Sequence, residues 1–409
     1  MSSNDRDTSD TSIDTDTETD IYDKYSSYDE YQYKGEIIGH KYLLIHIIGQ
    51  GAFSIVWLAL NLIDRKYYVI KMQNVEDDIE AEDEIDIMRK MKNKCQYINN
   101  LIESFEYCVE YDDVHFCMVF ELMVGSLYDI MKNDKYKNGF DMKIMCRIML
   151  QLITAINFIH NEMKIVHTDL KPDNILVCGR NNKIIDIIKH FETQKEVAGI
   201  LLKKIKPIGR KKLTSCLKHI EFSDIEKKYS DKSIEFVDNK YIDNIVIKLS
   251  DFGSYRDLDY DAYDLQTRYY RSPEIILHMS SGRNIDMWSI GCIMYELLTG
   301  KMLFDPMKLK HGRFYGDRAH LWEMFSKLGN IPPTTLHQSK RYDYYFTKNG
   351  LIKGSQSFHY NLIYDQLVEK YGKEIIDLMY ECLNYDYKKR ITSKDALSRL
   401  KSFISNNNI

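Results

Sequence analysis

The order of hydrophobic and polar positions divides the chain into a strand-rich part followed by a helix-rich part. Short apolar runs bounded by turn residues predict β-strands over 40–48, 54–61, 67–73 and 114–122. The charged stretch 75–94 carries apolar residues near helical spacing, and helical patterns dominate after about Ser126. These later helices are predicted over 144–162, 286–298, 319–328, 364–383 and 396–404. Strands first and helices afterwards predict an α+β fold with two lobes.

Two segments depart from this pattern. Residues 1–35 are mostly Asp, Ser, Thr and Tyr, so we predict a disordered acidic tail that solvates the chain. A phosphorylation target is the less favoured interpretation of the tail. A lysine-rich insert over about 179–243 separates two of the motifs described below, and its basic cluster spans Lys203–Lys212.

Composition narrows the class of protein. Of 409 residues, 44% are hydrophobic and 29% are charged, as is ordinary for a folded globular protein. The net charge of −5 does not indicate a nucleic-acid binder. The sequence contains no run of 18 or more apolar residues, so it does not predict a membrane-spanning helix. The eight cysteines are scattered without a C-x-x-C pair, which is typical of free thiols in a reducing compartment. We therefore expect an intracellular monomer, cytoplasmic or nuclear, that binds neither membrane nor nucleic acid directly.

A glycine-rich turn joins the first two long strand predictions. Glycines let backbone N–H groups approach a phosphate closely, so this turn predicts a phosphate site. A turn with two glycines is also typical of a simple hairpin, and a serine stands where a third glycine would complete the motif. The candidate binding residues are Gly49, Gln50, Gly51, Ala52, Phe53, Ser54 and Val56.

A lysine near the end of the next apolar run is a second candidate for phosphate binding. Lys71 follows Val69 and Ile70, and an ammonium group on a buried strand needs a partner. Glu84 in the following helix is the predicted partner, with Glu80 and Glu82 as rivals. An exposed lysine at a strand end is the alternative interpretation.

The strongest motif runs from His167 to Val177. Asp169 is placed to accept the proton of an attacking hydroxyl, Lys171 to neutralise a moving phosphoryl group, and Asn174 to hold a metal ion. The combination H-x-D-x-K-x-x-N followed by an apolar strand is rare by chance.

A third motif, Asp-Phe-Gly, follows an apolar run over 244–249. Asp251 offers the hard carboxylate oxygen that Mg²⁺ prefers. Further along, Glu274 requires a partner if it is buried, and Arg390 is the predicted one.

In this order the motifs resemble those of eukaryotic protein kinases, and the resemblance covers about 41–404. It implies a two-lobed α+β protein kinase fold, with a β-rich N-lobe over about 41–122 and a helical C-lobe over about 123–404. It implies ATP and Mg²⁺ as cofactors and a protein substrate. Phe120 would then precede the hinge, and the Glu121 carbonyl and the Met123 N–H would meet the adenine.

Finer features are similar to those of the SR-protein kinases. The His-Thr-Asp-Leu-Lys-Pro-Asp-Asn motif and a spacer insert in the same region carry this similarity. It implies serine/threonine transfer, with Arg-Ser-rich proteins as a candidate substrate class. Thr168 replaces the common arginine that binds an activation-loop phosphate, so we expect activity without such phosphorylation.

Other features leave alternatives open. Ala319 and Ser326 occupy two places where SR-protein kinases carry acidic docking residues, although Asp317 and Glu323 lie nearby. Tyr263 resembles the autophosphorylated tyrosine of dual-specificity tyrosine-regulated kinases. A pseudokinase scaffold and a small-molecule kinase are the rival functions, and the complete set of catalytic residues favours a protein kinase over the scaffold.

Overall fold

The computed structural model of the chain describes residues 33–51, 54–73, 78–108, 114–194, 197, 240–258, 265–280, 282–307, 316–354 and 360–409. Several predictions lie outside these ranges. They concern Ala52, Phe53, Tyr263, the basic cluster Lys203–Lys212 and nearly all of the acidic tail.

An antiparallel six-stranded sheet forms the N-lobe, in the order β1-β2-β3-β4-β6-β5. Its strands are β1 (Ile37–Ile38), β2 (Tyr42–Gln50), β3 (Ser54–Asn61), β4 (Tyr67–Gln73), β5 (Glu103–Cys108) and β6 (Val114–Glu121). The four predicted strands are present. β5 escaped prediction because it lies at the sheet edge and contains two glutamates and no aliphatic residue.

Helix α1 (Asp78–Met91) lies in the N-lobe, as the pattern predicted. Its apolar residues Ile85, Met88 and Met91 are buried. Glu80 and Glu82 are exposed, whereas Glu84 is buried. The helix therefore presents only one of the three candidate carboxylates to the interior.

Two smaller sheets line the boundary between the lobes. One contains β7 (Met123–Ser126), β9 (Ile175–Cys178) and β10 (Ile247–Leu249), in the order β10-β9-β7. The other pairs β8 (Ile165–Val166) with β11 (Arg256–Asp257). These strands carry or flank the Asp169, Asn174 and Asp251 motifs, so their pairing brings distant motifs together.

Helices build the rest of the C-lobe. They are α2 (Leu127–Met131), α3 (Met142–Phe158), α4 (Asn182–Thr193), α5 (Lys240–Asp243), α6 (Pro273–Ile276), α7 (Asn284–Thr299), α8 (Gly316–Leu328), α9 (Pro333–Leu336), α10 (Tyr342–Tyr345), α11 (Tyr364–Tyr371), α12 (Lys373–Cys382) and α13 (Ser393–Asn407). The prediction of one helix over 364–383 is wrong. Gly372, at φ +92°, separates α11 from α12, because that backbone conformation interrupts a helix.

The apolar helix α3 is the centre of the C-lobe core. The Asp141 side chain caps its start by accepting from the Ile144 N–H at 2.9 Å. By length and composition, Met142–Met163 would suffice to cross a membrane, but 67% of its most apolar window is buried inside the protein. Packing against the other helices accounts for that apolarity.

The first part of the predicted insert folds onto the N-lobe. Helix α4 begins after Asn181, whose side chain accepts from the Ile184 N–H and also bonds the Val124 carbonyl. Its buried face consists of Ile184, Ile187, Ile188 and Phe191, which cluster with Leu43, Ile45, Leu58 and Leu60 of β2 and β3. One helix of the insert therefore covers a face of the N-lobe sheet.

Candidate active site

A triad of charged residues spans the two lobes. Lys71 Nζ on β4 lies 2.8 Å from Glu84 Oε2 on α1 and 2.8 Å from Asp251 Oδ1 in the Asp-Phe-Gly motif. The Gln73 amide donates to Glu84 Oε2 at 3.0 Å, and the Phe252 N–H donates to Glu84 Oε1 at 3.2 Å. The structure thus brings together three predicted residues, and it selects Glu84 over its two rivals.

The charges in this triad stabilise one another. Burial alone would lower the pKa of Lys71, but the carboxylates of Glu84 and Asp251 outweigh burial and hold that pKa above its ordinary value. The Lys71 ammonium in turn lowers the pKa of Asp251. Lys71 and Asp251 therefore hold each other in their charged forms.

The glycine-rich turn lies directly beside Lys71. Gly49 pairs with Val56 across β2 and β3, and Val56 pairs with Lys71 across β3 and β4. The Gly51 N–H donates to the Ser54 carbonyl at 2.9 Å. Among the described residues, a Cβ at Gly51 would meet no atom closer than 3.9 Å, so there is space for a ligand beside Gly51.

Three of the described residues of the turn differ in exposure. Gln50 and Gly51 are exposed, whereas Ser54 is buried at the start of β3. Gln50 pairs with Ile55, so β2 and β3 form an antiparallel hairpin around the turn, and the pairing of Val56 with Lys71 places it where it could cover phosphates.

A second cluster surrounds Asp169. Lys171 Nζ lies 2.7 Å from Asp169 Oδ2, and the Thr267 hydroxyl donates to Asp169 Oδ1 at 2.6 Å. Lys171 also donates to the Thr267 oxygen at 3.0 Å. Burial would raise the pKa of Asp169, but Lys171 and Thr267 outweigh it and lower that pKa. Lys171 and Thr267 thus hold the Asp169 carboxylate in place.

Asn174 completes this cluster. Its Nδ2 donates to the Asp169 carbonyl at 2.9 Å and to Asp169 Oδ2 at 3.1 Å. Because the amide nitrogen is used in this way, the Asn174 Oδ1 is the atom that remains to bind a cation.

The donor set suits Mg²⁺ bound together with phosphates. In the described part of the chain, no group of three or more His, Cys, Asp or Glu side chains is arranged to hold a metal by itself. Asp251, whose side chain is 46% exposed, and Asn174 offer two oxygen ligands. Mg²⁺ usually takes one or two protein oxygens and completes its shell with substrate phosphates and water. The residues present therefore fit a metal that arrives with the nucleotide.

A buried aspartate anchors the backbone of the catalytic loop. Asp286 on α7 is fully buried, and its carboxylate accepts from the His167 N–H at 2.8 Å and the Thr168 N–H at 3.0 Å. The His160 ring nitrogen lies 2.8 Å from the same carboxylate. Asp286 thus fixes the residues immediately before Asp169.

Thr168 joins the catalytic loop to the segment after Asp-Phe-Gly. Its hydroxyl donates to the Ser254 carbonyl at 2.7 Å, and its side chain is buried. The common arginine is absent here, and a neutral hydrogen bond makes the connection instead.

The hinge residues form the back of the cleft. Phe120 is buried and pairs with the half-buried Val69 across β6 and β4. Met123 is buried and pairs with Cys178 of β9. Glu121, between them, forms an ion pair with Lys248 of β10.

The surface near α8 differs from an acidic docking groove. Ala319 and Ser326 are buried. Asp317 carries ion-pair contacts to three arginines, at 3.5 Å to Arg268 and 3.8 Å to Arg271 and Arg341. Glu323 accepts from the Asp305 N–H at 2.7 Å and from Lys327 at 3.1 Å. Both remaining acidic residues are already engaged.

The buried pair predicted between Glu274 and Arg390 is confirmed. The guanidinium binds the carboxylate through two bonds of 2.5 and 2.9 Å, and both side chains are at most 1% exposed. Sequence reasoning did not assign roles to Thr267, Asp286 or Lys248. A threonine, an aspartate and a lysine in ordinary contexts carry no local signal, although each contacts a residue of a recognised motif.

A two-lobed fold with these two clusters defines a protein kinase. The sequence matches the protein kinase domain family over residues 42–197 and 236–400, and the chain belongs to this family. The matched ranges include every motif described above.

Three related proteins show which kinds of protein kinase the chain is similar to. The chain is 27% identical over 392 residues to serine/threonine-protein kinase SRPK of Physarum polycephalum, covering 89% of this chain and 86% of that protein. It is 27% identical over 438 residues to protein kinase dsk1 of Schizosaccharomyces pombe, covering 88% and 80%. It is 27% identical over 379 residues to serine/threonine-protein kinase AFC3 of Arabidopsis thaliana, covering 87% and 80%. The predictions of a two-lobed kinase fold and of a serine/threonine kinase resembling the SR-protein kinases are confirmed.

Proposed function

We propose that this kinase transfers the γ-phosphoryl group of ATP, bound with Mg²⁺, to serine or threonine hydroxyls of proteins through Asp169 and Lys171. The observation that carries the proposal is the simultaneous presence of the Lys71–Glu84–Asp251 triad and the Asp169–Lys171–Thr267 cluster. Either cluster alone is compatible with a structural role. Together they supply a lysine that would bind the phosphates and a carboxylate that would accept the proton of the substrate hydroxyl.

The N-lobe would hold the nucleotide. The turn over 49–56 would cover the phosphates with its backbone, since a Cβ at Gly51 would meet no described atom closer than 3.9 Å. Lys71, fixed by Glu84, would bind the α- and β-phosphates. Val69, Phe120, Glu121 and Met123 would enclose the adenine.

The metal would be held by Asp251 and Asn174. Mg²⁺ supplies charge neutralisation on the β- and γ-phosphates when it is bound. Lys71 keeps Asp251 ionised and orients its carboxylate, and Asp169 orients the Asn174 amide.

Asp169 would orient the substrate hydroxyl and accept its proton. Its lowered pKa keeps it ionised, and Thr267 and Lys171 fix its two oxygens. Lys171 Nζ lies 2.7 Å from Asp169 Oδ2, and its charge would stabilise the oxygens of the transferred phosphoryl group. Catalysis would thus rest on positioning and electrostatics.

The experiment is phosphate transfer from labelled MgATP by the wild type and by Asp169→Ala and Asp251→Asn. We expect transfer by the wild type alone, with a similar Tm for all three proteins. Unchanged transfer by either variant would contradict the proposed roles. A wild type that neither transfers phosphate nor gains Tm with MgATP would favour the pseudokinase scaffold.

We propose Arg-Ser-rich proteins as the first substrate class to test, because the resemblance to SR-protein kinases favours them. Ala319, Ser326 and the engaged Asp317 predict that docking away from the cleft contributes less than the residues around Asp169. An Arg-Ser repeat peptide and a generic basic protein are the matched substrates. Stronger transfer to the generic protein would discard this substrate class and leave the kinase activity standing.

We also propose an intracellular location, cytoplasmic or nuclear, for a monomeric enzyme that contacts neither membrane nor nucleic acid directly. Free thiols and the basic cluster Lys203–Lys212 support this location. Imaging of a tagged chain with and without neutral replacements in the cluster tests whether it directs nuclear import.

A further inference from the structure

A second ion pair joins the floor of the cleft to the hinge. Lys248 lies on β10, three residues before Asp251, and its Nζ pairs with the Glu121 carboxylate at the end of β6. The same short segment thus carries Lys248, which contacts the hinge residue Glu121, and Asp251, which contacts Lys71. The segment supplies the cation, Lys248, in one pair and the carboxylate, Asp251, in the other.

The sheet explains why Lys248 points this way. Across β10 and β9, Ile247 pairs with Val177 and Leu249 with Ile175, and all four side chains are buried in the C-lobe core. Because successive strand residues face opposite sides, Lys248 lies on the other face, beside its half-buried partner Leu176. Its side chain is only 14% exposed.

The burial of Lys248 is costly without a partner. Burial lowers the pKa of its ammonium group, which marks a partly desolvated cation, and the Glu121 carboxylate is the acidic group that pairs with it. The Glu121 side chain is 46% exposed, so water would hydrate its carboxylate if Lys248 were absent. The main effect of the ion pair on Glu121 is therefore to restrict the position of its side chain. A structural role alone would be served equally by an apolar residue at position 248.

We propose that Lys248 is a positioning residue for base recognition, because it holds Glu121, whose main-chain carbonyl would bind the adenine amino group. The inference rests on the proposed function and deepens it. Glu121 neighbours Phe120 on β6 and lies two residues before Met123, so Lys248 holds a side chain attached to the main chain that the base would contact.

Three probes distinguish binding of the base from binding of the phosphates. They are adenosine, inorganic tripolyphosphate and ATP. Their Kd values are measured by competition with a fluorescent nucleotide. We expect Lys248→Met to raise the Kd for adenosine and for ATP by the same factor, roughly threefold to tenfold. The Kd for tripolyphosphate should stay unchanged. Lys71→Met should do the reverse, weakening tripolyphosphate and ATP while leaving adenosine unchanged.

Companion variants test the connection through Glu121. Glu121→Gln should raise the adenosine Kd as Lys248→Met does, and the double variant should be no weaker than either single variant, since both break one pair. Lys248→Arg keeps the cation and should retain most of the affinity. Lys373→Met, which removes an exposed ion pair with Asp377 on α12, is the control and should change none of the three Kd values.

Three outcomes decide between the explanations. An unchanged adenosine Kd in Lys248→Met would overturn the inference while leaving the proposed function intact. A fall in the Tm of the nucleotide-free variant with weaker binding of all three probes would assign Lys248 a structural role and also overturn it. A wild type that binds none of the probes would contradict the proposed function itself.

Discussion

The Thr267 hydroxyl donates to Asp169 Oδ1 at 2.6 Å, and the Thr267 N–H donates to the same oxygen at 3.1 Å. These residues are 98 positions apart in the chain. The segment that contains Thr267 therefore holds one carboxylate oxygen of Asp169, and Lys171 holds the other. The position of Asp169 therefore depends on two distant segments of the C-lobe, one carrying Lys171 and one carrying Thr267, being packed together.

Thr267→Ala should lower kcat and leave the Kd for ATP near that of the wild type. A hydrogen bond to a charged group contributes about 1.5–3 kcal/mol, so the loss should be roughly tenfold to a hundredfold. Thr267→Ser keeps the hydroxyl and should retain most of the activity. Steady-state kinetics on one peptide substrate measures both variants, and an alanine variant with full kcat would contradict the role of this contact.

Activity should not require phosphorylation of the chain. The Lys71–Glu84 pair is formed, and neutral Thr168 is bonded to Ser254 where many kinases have a phosphate-binding arginine. Protein treated with a phosphatase, which is then removed, should therefore keep its initial rate within about twofold. A loss of activity that returns after incubation with ATP would mean that a phosphate is needed.

Stability should fall in mild acid because of His320 on α8. This side chain is fully buried against Phe304, and in the described residues neither ring nitrogen has a hydrogen-bond partner. Burial, together with the charges of Arg268, Arg271 and Lys327, lowers its pKa to about 3 from an ordinary 6.5. The unfolded chain therefore binds a proton more readily, and this stability is complete above about pH 6.5 and is lost as pH falls toward 3.

At pH 5 this one group should reduce the free energy of unfolding by about 2 kcal/mol. His320→Phe removes the titrating group, so its Tm should fall less between pH 7 and pH 5 than that of the wild type. Replacement of the exposed His337 by Phe is the control and should leave the acid sensitivity in place. Parallel Tm curves for wild type and His320→Phe would rule out this account.

The Glu274–Arg390 pair should be highly sensitive to single substitution, because both side chains are buried. Arg390 also donates to the Asn384 and Asn284 carbonyls and lies over the Trp288 ring. Arg390→Met would leave a buried carboxylate unpaired and should cost about 3–5 kcal/mol of stability. The double variant Glu274→Gln with Arg390→Met should recover part of that loss in thermal unfolding, and an equal or larger loss would contradict the explanation.

The sequence by itself determined the elements and motifs that depend on local pattern. Apolar runs and helical spacing predicted the long strands of the N-lobe, α1 and the C-lobe helices α3, α7, α8 and α13. The kinase motifs named Lys71, Asp169, Lys171, Asn174 and Asp251, because each occurs within a few residues of its motif neighbours.

Only the tertiary structure decided the contacts between distant segments. Glu84 was selected over Glu80 and Glu82 because one face of α1 packs inward, and the break at Gly372 depended on a backbone angle. Thr267 and Lys248 acquired their partners through the packing of separate strands and loops around the cleft. Periodicity records which side of an element is buried, whereas the identity of the residue it meets is fixed only when the elements pack together.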